Sequence, residues 1–384
     1  MANAPRLKNI KKYLFRFASA IALAAVAYFA ADFLAIKAWD ADESLVVKIL
    51  DIGSERLVPL ENQQEDAFFQ TTETELIIRV LTGNQAGQNF PLMVTQMQAH
   101  RLNLRRGGRY VLIADFFENG EAQYSIVDVF RIPSVIGAAS FACACLVAFA
   151  GRAGFMALVG LGLSIVCLLW FFVPLAVMGL PPVPLAFIAV IFISVVTVFC
   201  VVRRKEQRKT ALLGTLGGAA GAWFFGFLTA ELWQLTGLAG DGAPLLATTI
   251  AGVDIKGIML ASIMISSIGA VLDVGISISA AMSELVEYDP EIDLLRLWIS
   301  GIRVGTEVLG SMINTLILAY IGTSLPMAML ISNAGANFWA LMNDPYVGQE
   351  LVQSLAGTSG LLLTIPLTAA FSIMRVKFSR TRNC

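Results

Sequence analysis

Apolar residues in this chain fall into long runs over most of its length and alternate with polar ones over a single stretch. Eight segments carry enough apolar residues to cross a membrane: 14–36, 133–151, 154–177, 183–202, 211–231, 257–282, 303–332 and 351–374. A crossing helix needs about 20 such residues to cover the hydrocarbon core. Between the first and second runs the pattern changes. SLVVKILDI (44–52), ELIIRVLTG (75–83), NFPLMVTQ (89–96), RYVLIADFF (109–117) and AQYSIVDVF (122–130) are short, rich in β-branched and aromatic residues, and read as strands. Asn119-Gly120 between the last two suits a type I′ turn, which needs positive φ at both central residues.

The predicted fold class is therefore a polytopic α-helical membrane protein of eight transmembrane helices with a small extracytoplasmic β-rich domain between helices one and two. Five short strands in this length fit a small OB-like barrel. The expected domains are 1–36, a cytoplasmic N-terminus and first transmembrane helix; 37–131, the β-rich domain; and 132–384, a seven-helix transmembrane bundle ending in the cytoplasm.

Composition agrees. Of 384 residues, 57% are hydrophobic and 14% charged, against about 25% charged in a soluble domain. The net charge of −1 gives no general basicity for nucleic acid, which is not an expected partner. The basic run Arg101, Arg105, Arg106 and Arg109 reads as a solvated loop feeding a strand. Positive charge fixes an expected orientation, because Lys and Arg accumulate in cytoplasmic loops. They cluster before span one (Arg6, Lys8, Lys11, Lys12), between spans four and five (Arg203, Arg204, Lys205, Arg208, Lys209), at the entrance to span seven (Arg296, Arg303) and in the tail (Arg375, Lys377, Arg380, Arg382). With eight spans all four clusters share one side, so both termini are expected in the cytoplasm. Span one exceeds the 7–15 apolar residues usual in a signal peptide, which favours an anchor over a cleaved leader.

Little conventional catalytic chemistry is visible. The single histidine, His100, lies in the β-rich stretch, which removes His-dependent triads and poly-His metal sites from the membrane part. Cys143, Cys145, Cys167 and Cys200 sit in apolar runs and Cys384 ends the chain, without metal-ligand spacing. There is no GxxxxGK[ST] phosphate loop. Neither an enzyme activity nor a cofactor or metal is expected.

Polar residues inside the spans carry the information. In span six, Ser262, Ser266, Asp273, Ser277 and Glu284 recur at spacings that keep them on one narrow stripe. In span seven, Arg303, Glu307, Gly310, Ser311 and Asn314 share a face, and Arg303 and Glu307 are i, i+4 neighbours. Ionisable groups at membrane depth are costly and ordinarily face a bundle interior or a watery cavity. The expected pathway or ion-binding residues are Asp273, Glu307, Arg303, Asn314, Ser266 and Ser277. The competing reading makes both stripes helix–helix contacts, a job Ser and Asn do routinely. It accounts well for Asn314 and the serines and poorly for Asp273, whose carboxylate must find a partner or a proton. In span five, Gly214, Gly217, Gly218, Gly221 and Gly226 have the spacing of close helix packing.

GVDIKGIMLASIMISSIGAVLDVGISISAAMSELVEYDP (252–290) and SGIRVGTEVLGSMINTLILAYIGTSLPMAML (300–330) resemble the YibE/F-like family of bacterial membrane proteins. The order of one span, a β-rich segment and a polytopic region is similar to that family too. The resemblance implies a multi-pass protein of the bacterial cytoplasmic membrane and brings no activity, substrate or catalytic residue with it. The leading expectation is a permease-like transporter of an ion or small solute, with a polar pathway between helices six and seven. The alternative is a non-transporting scaffold or assembly factor whose β domain binds a partner. Expected partners are the lipid bilayer, a second copy or a membrane protein, and a small solute or ion.

Overall fold

The computed structural model describes residues 4–39, 44–58, 71–83, 86–97, 102–116, 122–240, 242–250, 252–333, 335 and 337–383. The Asn119-Gly120 turn, His100, Arg101 and Cys384 lie outside them. Eight helices among the described residues are long and apolar enough to cross a membrane. They coincide with the eight runs read from the sequence. The chain divides into two compact units, residues 1–154 and 155–384.

The first unit holds α1 (Ala4–Ala38), five strands and α2 (Ile132–Ala150). Strands β1 (Ser44–Val58), β2 (Thr71–Val80), β3 (Asn89–Met97), β4 (Arg109–Phe116) and β5 (Ala122–Val129) form one antiparallel sheet in the order β3-β2-β1-β4-β5. The alternating strands bury one face: Val47, Ile49, Leu76, Ile78, Val80, Leu92, Val94, Tyr110, Leu112 and Ile126 make its core. The expected OB-like barrel is corrected here. Strands β3 and β5 are the two edges, and no ladder joins them among the described residues, so the sheet is open. Alternation specifies a buried face and leaves closure undetermined, since closure depends on which edges meet.

Two arginines of the basic run find partners. Arg109 forms an ion pair with Asp32 of α1, and Arg106 donates to the Leu50 carbonyl at 2.8 Å. The Tyr110 hydroxyl accepts from the Arg105 amide at 2.8 Å and donates to the Asn103 carbonyl. These bonds make the run a fastened loop at the head of β4. Nearby, Asp128 receives the Val129 amide and the Arg131 guanidinium, which together hold its carboxyl below the usual carboxylate range.

The second unit is all-helical. It comprises α3 (Arg152–Cys167), a π-helical turn (Leu168–Phe172), α4 (Val173–Val177), α5 (Pro182–Val201), α6 (Lys205–Leu232), α7 (Ala243–Thr249), α8 (Ile255–Tyr288), α9 (Leu294–Asn333), α10 (Phe338–Met342) and α11 (Pro345–Asn383). Pro174 has no N–H for the preceding turn, which accounts for the widened turn at 168–172 inside span three. The acidic stretch from Glu291, which just after Pro290 suits the start of a short separate helix, is a loop as far as Asp293, and α9 runs from Leu294 straight through span seven. No proline lies between that start and Arg303, and the one glycine there, Gly301, is packed against Met282 and Ala369.

Helix α8 is the centre of this unit. It packs on α5 through Ala261, Met264, Ile268 and Leu272, against Ala186, Val190 and Ile193. On the other side Val271, Val274, Ile278 and Met282 meet Leu361, Ile365 and Ala369 of α11. The glycines of α6 let three helices close up. A Cβ on Gly214 would meet Thr368; one on Gly218 would meet Thr364, Val271 and the Gly360 carbonyl; one on Gly226 would touch Ile263 and Ala356. Gly217 and Gly221 similarly leave room for Leu367 and Leu363.

Basic side chains tie one end of the unit together. Arg204 pairs with Glu284 and Glu287, and Arg375 lies 3.9 Å from Glu206. Arg380 donates to the carbonyls of Pro290 and Ile292 at 2.8 and 2.7 Å. Arg208 donates to the Val202 carbonyl at 2.9 Å, supplying a partner just past the last turn of α5. At the opposite end the link is Lys256–Glu231, at 2.6 Å.

Candidate functional site

Within the second unit, the polar stripe of span six occupies the most exposed side of α8 among the described residues. Ser262, Ser266, Gly269 and Asp273 are exposed and Ser277 is half-buried, whereas Met264, Ser267, Val271, Val274, Ile278 and Ser279 on the other sides are buried. Helical periodicity produces this division: residues four and seven apart stay on one face, and the apolar residues between them pack. Asp273 makes no hydrogen bond or ion pair among the described residues. The stripe is an open strip on an otherwise enclosed helix, with a carboxylate near its middle.

Among the described residues, a side chain from another helix hydrogen-bonds to it. Gln353 of α11 donates from Nε2 to Ser266 Oγ at 3.1 Å. One turn earlier on the same face of α11, Gln349 lines a cavity of about 460 Å³ that also involves Trp233, Gln234, Thr236, Asn343 and Asp344. The Gln349 Oε1 is buried there without a hydrogen-bond partner. Gln234 carries φ +52°, the left-handed value that ends α6 rather than a strain placed for chemistry. Gln349 thus lines the cavity, and Gln353, one turn along α11, reaches Ser266. Asp273 stands seven residues further along α8, about 10 Å at the helical rise.

The polar face of span seven is elsewhere. Gly301 and Gly305 of α9 are buried against Met282, Ala369, Ile365 and Ile278, and Val308, Leu309, Met312 and Leu316 extend that packed side. Arg303, Glu307, Gly310, Ser311 and Asn314 lie opposite, all exposed. No hydrogen bond or ion pair among the described residues joins Arg303, Glu307 or Asn314 to Asp273. The structure brings Ser266 and Gln353 together, leaves Asp273 open on the same strip, and sets the charged face of α9 apart. Periodicity marks a face and leaves its neighbour unnamed. Gln353 is signalled only by an amide within an apolar run.

No group of three or more His, Cys, Asp or Glu able to hold a metal occurs among the described residues. Ser279 and Thr210 satisfy one another instead: their hydroxyls are 2.9 Å apart, and Ser279 donates to the Gln207 carbonyl at 2.9 Å. That buried pair is a helix-packing contact between α6 and α8.

The family model described as YibE/F-like protein matches residues 138–377, more than half of the chain. No curated protein and no solved structure matches the chain.

Proposed function

This chain belongs to the YibE/F-like family, and we propose that it is a permease-like protein of the bacterial cytoplasmic membrane that moves an ion or small solute along the open strip of α8. The observation that carries the reading is Asp273, exposed without a hydrogen-bond or ion-pair partner among the described residues, on the strip of α8 that Gln353 reaches at Ser266. A carboxylate on the most enclosed helix, left open to one side, is a poor structural filler and a usable cation or proton site. Asp273 binds the cation or exchanges the proton. Ser262, Ser266, Ser277 and Gln353 replace part of a solute's hydration. In this reading helix eight, which supplies Gln353, lines the pathway together with helix six. Energy, where movement needs it, would come from an ion gradient.

The basic end of the second unit faces the cytoplasm in this reading and both termini are cytoplasmic, following the charge rule. The β-rich sheet is then extracytoplasmic. The competing reading is a non-transporting scaffold with a partner on that sheet. Flux separates the two. Purified full-length protein in proteoliposomes, with a pH- or cation-sensitive dye inside, dissipates an imposed gradient if it is a permease. Dissipation no faster than in protein-free vesicles, across protons and common monovalent and divalent cations, contradicts ion movement and favours the scaffold.

A further inference from the structure

We infer that the outward face of α9 is the contact between two copies of this chain, paired side by side about a two-fold axis along the membrane normal. The first observation is a seam. Ser311, Asn314, Leu318, Ile321 and Leu325 recur at spacings of 3, 4, 3 and 4, with Arg303 and Glu307 flanking the start of this seam. All five are exposed, and the aliphatic ones are so at 67%, 53% and 53%. A seven-residue repeat of this kind keeps one stripe facing a parallel partner helix through a left-handed crossing. Membrane bundles mostly adopt that crossing.

The second observation is charge. The Arg303 and Glu307 side chains have no hydrogen-bond or ion-pair partner among the described residues. Their order along the helix, cation before anion, is the less favourable one for an i, i+4 pair. Across a two-fold axis the same two residues are self-complementary: Arg303 of each copy meets Glu307 of the other, giving two equivalent ion pairs. Asn314 sits further up the seam. Facing lipid, its amide would have no partner; facing its own counterpart, it both donates and accepts. A buried amide in such a seam fixes register. Gly310 lies beside the seam, and a Cβ built there meets nothing within 4 Å, so its smallness answers to no neighbour among the described residues. It leaves room for close approach by a second backbone.

The pairing is independent of solute movement and is tested without it. Full-length protein with Cys143, Cys145, Cys167, Cys200 and Cys384 replaced by serine carries one new cysteine and is oxidised in lipid nanodiscs and native membranes. Asn314→Cys and Leu318→Cys give a covalent dimer of this chain. Met312→Cys, on the packed side, and Phe224→Cys, on the exposed side of α6, do not. Adding Arg303→Glu to Asn314→Cys loses the crosslink, and adding Glu307→Arg to that variant restores it, which a merely unfolded chain cannot do. Three results overturn the proposal: equal crosslinking at 312, 224 and 314; a monomer mass in nanodiscs containing native lipid; or a crosslink from position 314 only to a different protein.

Discussion

Gln353 of α11 donates to Ser266 of α8 at 3.1 Å and is the side chain that brings a second helix to the polar strip. A neutral hydrogen bond between membrane helices averages about 0.6 kcal/mol in double-mutant cycles, so this one is a weak clamp. The cycle Gln353→Leu, Ser266→Ala and the double variant should return a coupling of about that size in detergent unfolding. Solute movement should fall much further in Gln353→Leu than stability does. Equal, small losses in both would make the pair a packing contact.

Gly218 faces Thr364, Val271 and the Gly360 carbonyl, and a Cβ there would lie 2.9 Å from that backbone oxygen. Backbone has nowhere to withdraw. Gly218→Ala is therefore expected to destabilise the bundle by about 1–3 kcal/mol, the usual range for overpacking. Gly162→Ala, where a Cβ meets nothing within 4 Å, should be neutral or slightly stabilising. Thermal unfolding in detergent distinguishes them, and comparable melting temperatures would contradict the three-helix packing at Gly218.

Ser279 joins Thr210 to the Gln207 carbonyl in a buried chain of hydrogen bonds. Ser279→Ala leaves the Thr210 hydroxyl with the Gln207 carbonyl alone, at 3.0 Å. The expected cost is about 1 kcal/mol, because one net hydrogen bond is lost and no buried donor is orphaned. Activity should be unchanged, since this pair lies off the open strip. A transport defect as large as that of a strip variant would enlarge the site.

The one-ended distribution of arginines in the second unit predicts orientation. Glu206→Cys, beside the basic end of the second unit, should react with an impermeant maleimide only after cells are opened. Glu75→Cys, exposed on β2, should react once the outer face is reachable. The opposite accessibility at both positions would contradict the charge-derived topology.

Much of this architecture is legible in sequence because it rests on period and length. The eight helices follow from runs long enough to span, and the five strands from alternation such as Leu76, Ile78 and Val80 inward with Glu75 and Arg79 outward. The polar stripe of α8 is equally legible, since its residues share a helical face. What a stripe faces is not. Asp273 and Asn314 look alike as polar residues in adjacent spans, yet one belongs to a strip beside α11 and the other to the outward side of α9. Strand closure is likewise a property of edges, which β3 and β5 do not announce. The start of α9 was hidden because acidic Asp289, Glu291 and Asp293 read as surface whether or not the helix beyond them is continuous.

The central claim is that Asp273 acts by ionising, and Asp273→Asn tests it most directly. Asparagine keeps the size and hydrogen-bonding capacity of the side chain and removes its charge. Reconstituted wild type and variant are compared for dissipation of an imposed proton or cation gradient, alongside detergent melting temperature. The account predicts wild-type stability and loss of gradient dissipation in Asp273→Asn. Gradient dissipation at the wild-type rate in that variant would contradict it and leave Asp273 a helix-orienting residue.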